Sequence, residues 1–73
     1  MGKVVNIRRP LIEAAARELE PEMRARGQAI RTLQEMGDLT VDEWRRAAVL
    51  AGHRLNARVV TRQIDDGVIA VLA

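Results

Sequence analysis

Leu39-Thr40-Val41-Asp42-Glu43-Trp44, followed by the run to Leu72, is the stretch on which the fold turns. A threonine three residues ahead of a glutamate is a reciprocal helix cap. The Thr40 hydroxyl accepts from the Glu43 amide, and the Glu43 carboxylate reaches back to the Thr40 amide. Leu39 and Trp44 flank this cap at the spacing of a hydrophobic staple. The helix so started is expected to run from Val41 to about Leu55, with Val41, Trp44, Ala47, Ala48, Ala51 and Leu55 inward, and Asn56 as a left-handed stop. Two runs rich in valine and isoleucine then surround Asp65-Asp66-Gly67, which reads as a β-hairpin over Arg58–Ile64 and Val68–Leu72. A three-residue loop with Gly67 left-handed pairs Ile64 with Val68 and gathers Val60, Ile64, Val68, Ala70 and Leu72 on one face with Arg62. A two-residue Asp66-Gly67 loop pairs Asp65 with Val68 and segregates the faces less well.

Upstream, Ile12, Ala15/Ala16, Leu19, Met23, Gly27, Ile30, Leu33 and Met36 hold the helical period without loss of phase. The expectation is helix from Pro10 or Leu11 to about Met36, either one long helix kinked at Pro21 or two helices meeting near Glu20-Pro21. Gly37 is its C-terminal cap, and Gly27 marks a close approach by another element. Glu13/Arg17, Glu20/Arg24, Glu22/Arg26 and Arg31/Glu35 are spaced as intrahelical ion pairs. Val4-Val5-Asn6-Ile7-Arg8 is short and β-branched, and reads as an edge strand or arm that adds to the C-terminal hairpin. The fold class is therefore α+β in a single domain over residues 1–73: N-terminal strand or arm, long or proline-broken helix, capped second helix, C-terminal β-hairpin.

A chain of 73 residues with no cysteine and one aromatic side chain, Trp44, has neither disulfides nor thiolate metal ligands to support a small core. Self-association as a homodimer is the physical expectation, since a second copy supplies missing burial. No stretch approaches a membrane span or a signal peptide, and a cytoplasmic chain is expected. Serine, cysteine and tyrosine are absent, His53 is the lone imidazole, and no glycine-rich phosphate loop occurs. These absences argue against an enzyme and against a metal or other cofactor.

The net charge of +2 is unevenly spread. Trp44 to Ile64 carries five arginines and no acid. Arg45, Arg46, His53, Arg54, Arg58 and Arg62, with Arg8 and Arg9 adjoining, form the candidate nucleic-acid-binding set, because guanidinium groups grip phosphate through paired donors. Asp42 and Glu43, in the first turn of the same helix, would repel phosphate. A helix followed by a basic hairpin resembles, in element order, the recognition helix and wing of winged-helix DNA binders, which implies helix contacts to bases and hairpin contacts to phosphate. The run Asp42–Ala48, with Arg58-Val59-Val60-Thr61, Asp66-Gly67 and Val71-Leu72, resembles small uncharacterised proteins of actinobacteria and their phages, which implies a phage origin and no mechanism. The leading expectation is a small non-enzymatic DNA- or RNA-binding protein. The alternative is a protein-interaction module, either a phage inhibitor of a host protein or a small dimeric assembly factor. That module would use the Ile12–Met36 stripe or the sheet face.

Overall fold

The capping box forms as written. In the computed structural model, which describes residues 8–73, helix α2 spans Val41–Arg54. The Glu43 amide donates to Thr40 Oγ1 at 3.1 Å, and the Thr40 amide donates to Glu43 Oε1 at 3.0 Å. The helix closes at Leu55, whose amide reaches Ala51 O, and Asn56 follows in the left-handed region at φ 58°. Its buried positions are Trp44, Ala47, Ala48, Ala51 and Gly52. Small side chains there let α2 lie close to its neighbours. At Gly52 an added Cβ would collide with Val59 Cγ2 and lie 3.1 Å from Ala57 O.

Helix α1 spans Arg8–Arg26 and passes through Pro21 without a break. The proline forfeits one backbone bond and crowds the carbonyl of Arg17, a local cost near 3 kcal/mol. Burying Leu19 and Met23 on either side of it returns roughly 2–3 kcal/mol each. Packing keeps the helix intact.

The long apolar stripe does not continue as helix to Met36. The Gly27 amide closes the last turn on Met23 O at 2.7 Å, Gly27 adopts φ +74°, and Gln28–Thr32 becomes strand β1. Gly27 is thus a C-terminal stop and not a close-approach site, because no atom lies within 4 Å of a Cβ placed there. A turn over residues 33–38 follows. It is held by a second reciprocal pair, Glu35 N to Thr32 Oγ1 and Thr32 N to Glu35 Oε1, and by Gly37 at φ +62°. Glu35 therefore serves Thr32, and Arg31 turns to Glu22 on α1, at 2.7 and 3.1 Å. The Val4–Ile7 part of the expected N-terminal strand lies outside the described residues, and Arg8 is the first residue of α1.

Strands β2 (Val59–Ile64) and β3 (Gly67–Leu72) form the hairpin, and β3 is central in the order β1-β3-β2, antiparallel to both neighbours. The loop is Asp65-Asp66, with Ile64 opposite Gly67, so the register matches neither hairpin expected from sequence. Gly67 does not adopt a left-handed conformation. Its missing Cβ makes room for β1: an added one would collide with Arg31 O and lie 2.7 Å from Thr32 Cα. The one-residue difference turns β2 over. Val59, Thr61, Ala70, Leu72, Val68 and Ala29 share the face toward the helices, and Val60, Arg62, Ile64, Ile69, Val71 and Ile30 share the other.

The result is a two-layer α+β domain, α1-β1-α2-β2-β3, with β1 and β2 parallel and split by β3. Arg8–Glu43 joins the two helices at one end and Arg54–Glu20 at the other, so α1 and α2 run side by side in the same direction. Both cover one face of the sheet. Among the described residues no helix is long and apolar enough to cross a membrane.

Candidate nucleic-acid interface

The exposed stripe of α2 is Asp42, Arg46, Val49 and His53, one face of a helix at the spacing i, i+4, i+7, i+11. Beside it the edge strand β2 runs alongside, tied on by Arg45, whose Nε donates to Thr61 Oγ1 at 2.8 Å. Between helix and strand lies an open groove of about 590 Å³ lined by Asp42, Arg45, Arg46, Val49, Leu50, His53 and Thr61. It continues into a second depression of about 490 Å³ where Arg58, Asn56 and Ala57 join Val49 and His53. Arg45, Arg46, His53 and Arg58 therefore stand along one channel, with Asp42 the sole carboxylate in its lining among the described residues.

The other candidates stand elsewhere. Arg54 turns to α1 and meets Glu20 at 3.4 Å. Arg9 pairs with Glu13 at 3.3 Å along α1. Arg62 projects from the far side of the sheet, in the row of Ile69 and Ile30. Arg8 is a structural clasp: its Nε and Nη2 hold the two oxygens of Glu43 at 2.7 and 2.6 Å, and Nη2 also reaches Asp38 O at 2.7 Å.

That clasp changes the electrostatics of the helix start. Hydrogen bonding by Arg8, and then by the Thr40 amide, pulls the Glu43 carboxyl down to about 2 from the usual 4.5. Its side chain is 14% exposed, and its charge is neutralised on the α1 side, away from the groove. Of the two acids that oppose phosphate in the sequence, one is removed by tertiary pairing and Asp42 remains. The equivalent pair Glu22–Arg31 lowers Glu22 in the same way, the Arg31 hydrogen bond being the larger cause.

Sequence reasoning did not single out Thr61, Val49 or Leu50 as groove residues. Thr61 alternates with Val60 and Arg62 along β2, so only the correct register brings it to the helix side. Among the described residues no three His, Cys, Asp or Glu side chains gather closely enough to hold a metal ion.

Fold and groove together define a small two-layer α+β domain with a basic channel between a helix and an edge strand. Comparison with protein-family models, with curated proteins and with solved structures gives no match.

Proposed function

We propose that the protein is a small non-enzymatic nucleic-acid-binding protein that holds a phosphate backbone along the channel between α2 and β2. The observation that carries this reading is the convergence of Arg45, Arg46, Arg58 and His53 on one open channel, while Glu43 is turned away and paired with Arg8. Guanidinium groups on a firm helix-and-strand frame present donors to successive phosphate oxygens. Val49 and Leu50 provide an apolar floor against which sugar or base faces can rest. Arg46 and Arg58 are exposed and carry the contacts that can be removed without harm to the fold. Arg45 has the double task of joining α2 to β2 and facing the channel.

Binding of this kind is electrostatic, and its logarithm falls with log salt by about 0.9 per phosphate neutralised on duplex DNA. Three arginines in the channel give an expected slope near −2.7. Fluorescence titrations of a labelled duplex and of a single-stranded RNA across a salt series test this. Arg46→Ala with Arg58→Ala is expected to reduce the slope by about 1.8 while the circular dichroism spectrum is kept. No measurable binding at about 50 mM salt, or a slope unchanged in the double variant, refutes the reading.

A further inference from the structure

We infer that the open face of the sheet is a self-association surface, on which a second copy of this chain packs sheet against sheet. The chain distributes its apolar residues in an unusual way for a lone domain. Among the described residues, six of the eleven in the buried core are alanine: Ala16, Ala29, Ala47, Ala48, Ala51 and Ala70. Of the bulky aliphatic side chains of the sheet, Val59, Val68 and Leu72 face the helices, and the larger share stands on the side without helices. Ile30 is 43% exposed, Val60 55%, Ile64 42% and Val71 38%, and half-buried Ile69 lies in their midst. The register places these five on three adjacent strands, so they form one continuous patch. Both helices occupy the opposite side, and among the described residues nothing covers it.

The size of the patch fits a small symmetric interface. Three strands about 4.8 Å apart, five residues long at about 3.3 Å per residue, give a footprint of roughly 14 by 17 Å. The exposed apolar area is on the order of 300–400 Å² per copy, the size of the largest patch on a typical monomer, which is often functional. With the surrounding Gln28, Thr32 and Arg62, two copies bury on the order of 1,000 Å², the lower bound for a specific interface. An interface of that size suits a weak, reversible dimer.

The chemistry of the face selects an identical partner. Among the described residues it carries no acid, and the one charge there, Arg62, lies on edge strand β2, so the guanidinium reaches the rim while its methylenes cover apolar surface. An apolar centre with a polar rim is the composition of homodimer interfaces. A net charge of +2 per chain sets only weak repulsion between copies. Two twisted sheets packed about 10 Å apart place β-branched side chains of each copy between those of the other. The basic channels then face outward on both sides, so this surface and the proposed nucleic-acid surface do not compete.

Sedimentation equilibrium of the full chain from about 2 to 300 µM tests the proposal, a window wide enough to reveal the weak association of interfaces at the small end of the range. Wild-type protein is expected to rise from the 8.1 kDa of one chain toward twice that mass. Val60→Lys and Ile30→Lys, each on an edge strand, are expected to weaken association at least ~30-fold, the like charges being forced together. Leu11→Lys, at an exposed position of α1, is expected to leave association unchanged. A wild-type monomer throughout the range overturns the proposal, as does a dimer indifferent to both sheet variants or abolished by Leu11→Lys. Should the sheet variants fail to fold, concentration-dependent amide shifts of the wild type decide. Shifts confined to Ile30, Val60, Ile69 and Val71 support the sheet face, and shifts on α1 or the channel refute it.

Discussion

Gly67 offers the sharpest test of the fold, because its two possible roles differ several-fold in energy. A turn glycine replaced by alanine costs about 1 kcal/mol, the price of a left-handed residue. In the structure, however, Gly67 lies within the sheet between Ile64 and Thr32, and its φ is ordinary. A methyl group there would strike Arg31 O, stand 2.7 Å from Thr32 Cα and 2.9 Å from Arg31 C, all backbone atoms that no rotamer change can move. Strand β1 must shift away from β3. Overpacking of this kind costs about 1–3 kcal/mol. Loss of two or three backbone hydrogen bonds around Arg31↔Val68 and Thr32↔Gly67 adds about 1 kcal/mol each. Gly67→Ala is therefore expected to destabilise by about 3–6 kcal/mol, against roughly 4–11 kcal/mol available to a domain of this length. The midpoint of thermal unfolding should fall by at least about 12 °C. Urea titration followed by Trp44 emission reads this directly, since that side chain is 2% exposed when folded and is the sole aromatic group. Gly27→Ala, at φ +74° in open space, provides the comparison and should cost only about 1 kcal/mol. Equal losses for the two variants, or a Gly67→Ala loss below about 1 kcal/mol, would refute the close approach of β1 to β3.

Pro21→Ala should stabilise the protein by about 2–2.6 kcal/mol, the recovered helix term less the rigidity that proline gives the unfolded chain; a lower urea midpoint would contradict an unbroken α1. Glu43 binds its proton later in the folded than in the unfolded state, so its contribution is complete above about pH 4.5 and fades as pH falls toward about 2. The difference in urea midpoint between wild type and Glu43→Gln should accordingly be widest near neutrality and close at the acid end; a gap independent of pH would show that the Arg8 clasp does not act through charge. Arg45→Ala and Thr61→Val should each cost about 1 kcal/mol and be non-additive, because they remove the same bond. Full additivity in the double variant would exclude that bond as the tie between α2 and β2.

What was readable in the chain itself was local. Thr40 and Glu43 sit three residues apart and need no other part of the molecule to form their cap, and Asn56 stops the same helix by its own conformational tolerance. The valine-rich runs around Asp65 and Asp66 likewise announce a hairpin through short-range chemistry. These signals suffice for the α+β class. The arginine series was equally visible, but not which of its members share a surface. Arg54 and Arg8 are drawn off by Glu20 and Glu43, more than thirty positions away in each case.

Tertiary structure decided three things. It made Gln28–Thr32 a strand, although Ile30, Leu33 and Met36 continue the helical phase, because the hydrogen bonds of β1 come from β3, some forty residues later. It carried α1 through Pro21, since burial of Leu19 and Met23 outweighs one lost backbone bond. It also set the hairpin register through β1, which demands a residue without a Cβ opposite Thr32 and so draws Gly67 out of the turn into the sheet. That one-residue difference sends Val60 and Ile64 to the open face and Thr61 to the channel. Local sequence sets what each segment can become; long-range pairing, which no short window of residues contains, selects which face it shows.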